Sequence, residues 1–324
     1  MSLVTRVFTP ARPSVALEVT STRVSALRLG GGSPPSATYA VEPLPAGAVV
    51  PSLMTPNVVD QAAVSAAVGR VLAAVGGGRQ VALVVPDSVA KVSLVRLEQV
   101  PTRLQELDAM LRFQIRKSVP FRADDAQFTW TDGQEVEGGG REYLVALARR
   151  ELISQYETVV AAAGAHAGLV DLATFDLVNL VLASGAKEDD WLLVHMAAEY
   201  ATLVIVRRGR VIFYRHRGAD GEESLADLVH QASMYYEDRL SGQGFGRVYL
   251  TGAAEGPEGA AGADNARRAL ADRLNAKVEP PDFSGVATLA DRIGASPGLV
   301  DHLAPLVGVP PPKKKAAAPA PAPA

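Results

Sequence analysis

One order of elements occurs twice in this chain: strands, then a helix, then a strand and a helix, across Val15–Val85 and again across Leu192–Val278. A chain that repeats such an order is built to make two related α/β lobes. In the first copy, Val15–Val19 and Arg23–Leu29 are short β-branched runs flanking Thr20-Ser21-Thr22, the signature of a hairpin. Apolar residues at Val59, Ala63, Val64, Val68, Val71 and Leu72 predict a helix from Pro56 to Val75, ended by Gly76-Gly77-Gly78. Val81–Val85 is a buried strand. In the second copy, Leu192–Met196, Thr202–Arg207 and Val211–Arg215 form three strands, with Arg208-Gly209 as a tight turn. A helix from Ser224 to about Leu240, a strand at Arg247–Leu250 and a helix from Asp264 to about Asn275 follow.

Between the copies, Lys91–Ala163 reads as an insertion of β-α-β-β-α type. Thr102 and Gln105 predict a capping box for its first helix, Thr102–Val119. Strands Phe128–Asp132 and Tyr143–Ala148 are joined at Gly138-Gly139-Gly140, and helices cover Glu151–Ala163 and Phe175–Ala183. The expected division is 1–90 and 166–190 for the first lobe, 91–165 for the small domain, 191–309 for the second lobe, and 310–324 for a disordered Pro/Lys/Ala tail.

Composition narrows the function. The 324 residues include no Cys, which excludes disulfides, thiolate metal sites and a Cys nucleophile. A net charge of −3 argues against coating nucleic acid, which needs a basic face. The five histidines (His166, His195, His216, His230 and His302) show no i,i+4 pair, so no metal site is expected and a structural role is assigned to them. Trp191–Val206 is too short and too polar to cross a membrane, and Met1–Pro13 lacks a signal-like apolar run, so the expected location is cytoplasmic. The Gly runs at Gly30–Gly32, Gly76–Gly78 and Gly138–Gly140 lack the Lys-Ser/Thr ending of a phosphate loop and read as turns.

Several segments carry a family resemblance. The doubled lobe with its small insertion resembles the actin-like fold of the division protein FtsA. Val85-Pro86-Asp87-Ser88, the helix Leu104–Val119 closed by Val119-Pro120-Phe121, Arg215–Leu225 and the ending Leu303-Ala304-Pro305-Leu306-Val307-Gly308-Val309 are similar to the type IV pilus assembly protein PilM. The likeness covers about residues 14–309, and GspL of type II secretion is a relative of the same shape.

The resemblance implies a site for ATP and magnesium between two β-hairpins, where a glycine lets backbone N–H groups approach phosphate and a carboxylate orders the metal. At the corresponding positions this chain has Glu18, Thr20, Ser21 and Thr22 in the first hairpin, with Ser25 replacing a lysine. The second hairpin has His195 for the carboxylate, Ala197 for the glycine and a matching Thr202, and the adenosine-side turn keeps Thr251-Gly252. Thr20 and Ala197 crowd both phosphate turns, and His195 removes an anionic oxygen. These departures predict weak or lost nucleotide binding, no cofactor and no catalysis. A functional actin-like ATPase and an FtsA-like division protein remain the alternatives; the latter ends in an amphipathic membrane helix where this chain ends in Pro-Lys-Ala repeats.

The resemblance also implies a partner, the cytoplasmic N-terminal peptide of a PilN-like inner-membrane protein, with other pilus components beyond it and membrane contact only through partners. The peptide is expected across the junction of the small domain and the first lobe, beside Arg112, Phe113, Arg116 and Lys117.

Overall fold

The structure, a computed structural model, describes residues 13–30, 37–136, 139–186, 190–218, 224–255, 259–282 and 297–309. The expected tail at 310–324, Gly31, Gly32 and Gly138 of the glycine runs, and residues 219–223 within Arg215–Leu225 lie outside the described residues.

The repeat seen in the sequence is a repeat of topology. Strands β1 (Val15–Val19), β2 (Arg23–Leu29), β3 (Ala37–Pro43) and β4 (Gln80–Val85) join β8 (His166–Leu172) in a sheet of order β3-β2-β1-β4-β8. Strands β9 (Trp191–Met196), β10 (Tyr200–Arg207), β11 (Arg210–Gly218), β12 (Arg247–Thr251) and β13 (Val278–Glu279) form the second sheet, in the same relative order, β11-β10-β9-β12-β13. Each begins as an antiparallel meander and continues through parallel pairs, β1 with β4 and β9 with β12.

Helix α1 (Gln61–Ala74) buries Val64, Ala67, Val68, Val71 and Leu72 on the first sheet. It starts later than the apolar spacing predicts, because Asp60 caps it by accepting from the Ala63 N–H at 2.9 Å. The preceding segment is held instead by the buried Asn57, bonded to the 52–55 loop. Gly77 ends the helix in the left-handed region (φ 71°), its N–H reaching the Leu72 carbonyl at 2.7 Å.

The insertion contributes a three-stranded sheet of order β5-β7-β6, from β5 (Ala90–Leu97), β6 (Ala126–Val136) and β7 (Gly140–Arg149). Helix α2 (Leu104–Ile115) covers it with Leu107, Leu111 and Ile115. The expected capping box is absent: Arg103, extended at φ −95° and ψ 126°, occupies the cap position and Thr102 falls one residue too early. The helix also stops short of Val119, since Ser118 Oγ donates to the Ile115 carbonyl and a residue before proline disfavours the helical region. Helix α3 (Arg150–Ala162) closes the insertion in sequence but belongs to the first lobe in space: Leu152, Ile153, Tyr156, Val159 and Val160 join the core beneath β1 and β4.

Two further helices exchange lobes. Helix α4 (Ala173–Ala183) leaves the first lobe and packs Leu177, Leu180 and Val181 on Trp191, Leu193, Val204 and Val206 of the second sheet. Helix α7 (Pro297–Gly308) returns from the second lobe and packs Leu303 and Leu306 on Ala16, Leu27 and Val84 of the first. The other face of the second sheet, through Leu192, Val194 and Leu203, packs on α5 (Leu225–Leu240) and α6 (Gly259–Leu274). With both faces covered, the strands read as nearly unbroken apolar runs.

Candidate functional site

The two repeats bring their first hairpins face to face. Each turn closes in the same way: the Thr20 N–H donates to the Arg23 carbonyl, and the Ala197 N–H to the Tyr200 carbonyl, both at 2.9 Å. Arg23 and Tyr200 are therefore equivalent positions of the two lobes, and both are buried. Thr20 Oγ1 is committed to its own turn, accepting from the Arg23 N–H at 3.1 Å.

The cleft between the hairpins is filled by the protein's own charges. Arg23 donates through one guanidinium nitrogen to Glu18 at 3.2 Å, in the first lobe, and through the other to Glu255 at 2.5 Å, in the second. One cation is thus shared by two buried carboxylates. Burial raises Glu18 to about 7, with the Glu255 charge adding to it, and this outweighs the pull of Arg23 and His195 in the opposite direction. Burial raises Glu255 as well, despite its contact with Arg23. The remaining hollow, bounded by Thr20, His195, Ala197, Glu199 and Asp301, measures about 20 Å³, room for roughly one water.

A second network crosses the lobes beside it. Asp87, fully buried after β4, accepts from the Thr174 N–H at 3.1 Å, the Thr174 hydroxyl and the Thr202 hydroxyl at 2.7 Å. His195, Thr202 and His216 lie in one row across β9, β10 and β11. A carboxylate only accepts, so both threonines donate to it and themselves accept from Nδ1–H of His195 (2.7 Å) and of His216 (3.1 Å). That assigns the tautomer of each imidazole and leaves His216 Nε2 to accept from Ser88 at 3.2 Å. Burial alone would raise Asp87, but the adjacent imidazoles and the Thr174 hydroxyl hold it below the ordinary carboxylate range.

The sequence-predicted residues thus meet in one place. Glu18, Thr20, Ser21, Thr22, His195 and Ala197 border the cleft, and Thr202 lies in the Asp87 network. Ser25 is a buried β2 residue opposite Glu18. Thr251 pairs in register with His195, and Gly252 has a packing role: at φ 78°, a Cβ on it would collide with the Met196 carbonyl. Sequence reasoning missed Arg23, Asp87, Thr174 and Glu255. Only Asp87 carried a signal, inside Val85-Pro86-Asp87-Ser88; a charged residue at a strand start is ordinarily exposed, and Arg23 gave no other indication.

A second feature lies where the small domain meets the first lobe, with helix α4 and the β10–β11 turn of the second lobe closing one end. Two hollows of about 250 and 350 Å³ share Thr129, Ala146, Asp171 and Phe175 and form one groove. It runs along β6, the edge of the inserted sheet, and meets β8, the edge of the first-lobe sheet. Arg112, Phe113, Arg116 and Lys117 do not line it. Arg112 pairs with Asp108 at 2.7 Å and lies 4.2 Å over the ring of Phe128, which does line the groove. Arg116 stacks on Phe113 at 4.0 Å, and Phe113 is 59% exposed.

Two lobes of one topology, exchanged helices and facing hairpins define an actin-like α/β protein. Residues 18–241, well over half of the chain, match the family described as type IV pilus assembly protein PilM, and the chain belongs to that family. A solved PilM-PilN type IV pilus biogenesis complex is similar at a TM-score of 0.74 and 17% identity, over 93% of this chain and 100% of that one. A Bacteroides thetaiotaomicron protein with actin-like ATPase fold and unknown function matches at a TM-score of 0.50 and 8% identity, over 90% of this chain and 99% of that one. The cytoplasmic domain of EpsL, an inner-membrane component of the Vibrio cholerae type II secretion system, matches at 0.48 and 11% identity, over 73% and 80% respectively. Among the described residues, no helix is long and apolar enough to cross a membrane, and no group of three or more His, Asp or Glu could hold a metal ion.

Proposed function

We propose that this PilM-family chain is a cytoplasmic adaptor that captures the N-terminal cytoplasmic segment of a PilN-like inner-membrane protein, is brought to the membrane through that partner, and turns over no nucleotide. The groove between the small domain and the first lobe carries the reading. An extended peptide can add to a sheet edge through backbone hydrogen bonds while alternate side chains enter pockets. Here the groove is flanked by two such edges, β6 and β8, and the apolar Ala146 and Phe175 are among its lining residues. Arg112 lies over the ring of Phe128, which lines the groove, and Arg116 and Lys117 follow at the end of the same helix. The absence of turnover is supported by three carboxylates beside the hairpins: Glu18 and Glu255 are engaged by a guanidinium, and Asp87 by hydroxyls.

The test is fluorescence anisotropy with a labelled synthetic peptide copied from the partner's cytoplasmic N-terminus. Ala146→Trp fills the groove and Thr129→Arg obstructs its edge; each is expected to weaken binding at least tenfold while circular dichroism stays native. Undiminished binding by both, together with loss of binding on reversing Arg112 and Arg116, would place the segment on the exposed face of α2.

A further inference from the structure

We propose that Arg23 replaces magnesium nucleotide as the bridge between the lobes: its guanidinium ties Glu18 of the first to Glu255 of the second and holds the cleft shut with no ligand bound. The inference goes beyond partner docking and does not depend on it.

The residues present do not fit the group that the fold family implies. A small-molecule site is ordinarily a cavity of about 300 Å³ or more; the hollow between these hairpins is about 20 Å³. Three of the carboxylates beside it are also spent, although Glu199 Oε1 is buried without a partner. Glu18 and Glu255 both face Arg23, and Asp87 is saturated by Thr174 and Thr202. A nucleotide brings several negative charges, and here it would meet two carboxylates whose one buried cation is already shared between them. The phosphate turns are closed on themselves, by the Thr20 hydroxyl in one and by the Ala197 N–H to Tyr200 carbonyl bond in the other. The retained Gly252 is accounted for by its contact with the Met196 carbonyl, so it is not evidence for an adenosine pocket.

What remains is a bridge of the kind a bound ligand would otherwise make. Arg23 touches one carboxylate from each lobe, is itself almost fully buried, and sits at the pseudo-equivalent position to Tyr200. A guanidinium suits the task, because its fixed fork presents separate N–H donors to two acceptors and it does not deprotonate. Burial by itself would lower the guanidinium's pKa, but Glu18 and Glu255 more than reverse this, so the cation persists inside the cleft.

The chain contains no cysteine, so two can be introduced for spin labels without background. Ala73→Cys on α1 and Ala269→Cys on α6 are exposed positions on opposite lobes. Pulsed electron–electron resonance on the labelled full chain is expected to give one narrow interlobe distance, unmoved by millimolar Mg-ATP. Arg23→Met is expected to lengthen or broaden that distance. Glu255→Gln, which keeps the shape and removes only the second-lobe charge, should do so to a smaller extent. Calorimetric titration of the unlabelled wild-type chain with Mg-ATP is expected to give no binding heat. A narrow, unchanged distance in folded Arg23→Met or Glu255→Gln would overturn the proposal. So would a low-micromolar Mg-ATP dissociation constant, or an ATP-dependent shift of the wild-type distance, and these two readouts stand even if neither variant folds.

Discussion

Replacing Glu18 with Gln should change how stability depends on pH. Glu18 is buried, and its folded value of about 7 lies above the 4.5 of an ordinary glutamic acid. A group whose folded pKa is raised stabilises the fold while it is protonated. That contribution is complete below pH 4.5 and is lost as pH rises toward and through 7. At about 1.36 kcal/mol per unit, the whole effect is roughly 3 kcal/mol, and between pH 5.5 and 8.0 linkage gives about 2 kcal/mol. Arg23, Glu255 and His195 face Glu18 and remain in the variant, so the difference between the two proteins isolates Glu18 itself. Glu18→Gln preserves the shape and still accepts from Arg23, but cannot ionise. Urea unfolding at pH 5.5, 7.0 and 8.0 should show the variant gaining on wild type by about 2 kcal/mol over that range. A difference constant to within about 0.5 kcal/mol would refute the argument, because it would mean that Glu18 is already ionised at pH 5.5 and well compensated by Arg23.

Gly252→Ala should destabilise the fold by about 2–4 kcal/mol in urea melts, since it forces a left-handed alanine against the Met196 carbonyl; an effect below about 1 kcal/mol would show that the β9 turn yields. Asn57→Ala should cost about 2–4 kcal/mol and expose the loop at residues 50–58 to limited proteolysis, because Asn57 accepts from the Tyr156 hydroxyl at 3.0 Å and donates to the Ser52 and Thr55 carbonyls. Unchanged cleavage there would show that Gln155, which accepts from the Asn57 and Val58 N–H groups, holds the loop by itself.

The doubled lobe was legible in the sequence because its signals are local. β-branched runs, an apolar helical stripe in α1 and a glycine stop at Gly76-Gly77 each act within a few residues, and their order repeats. The hairpin positions Glu18, Thr20, His195 and Ala197 came instead from the family resemblance, which fixes their offsets from the strand ends. Boundaries were less legible. Thr102 looks like a cap, but the cap position falls on the extended Arg103, one residue later, and the register that Leu107 and Leu111 take against the inserted sheet goes with it. Helix α3 reads as part of the insertion, and only burial of Tyr156 and Val160 assigns it to the first lobe.

The chemistry of the cleft was decided by tertiary structure. Glu18 and Glu255 are far apart in sequence, and nothing in either neighbourhood announces the other; the exchange of α4 and α7 between lobes brings their elements together over Arg23. Asp87, Thr174, Thr202 and His195 likewise come from separate strands and helices, and their hydrogen bonds exist only once the two sheets face each other. The sequence by itself determined which elements form and that there are two of each, because propensity and hydrophobic period are local quantities. Which charges are buried together, and therefore what occupies the space between the hairpins, was settled by long-range packing, because desolvation and ion pairing depend on neighbours that only the folded chain supplies.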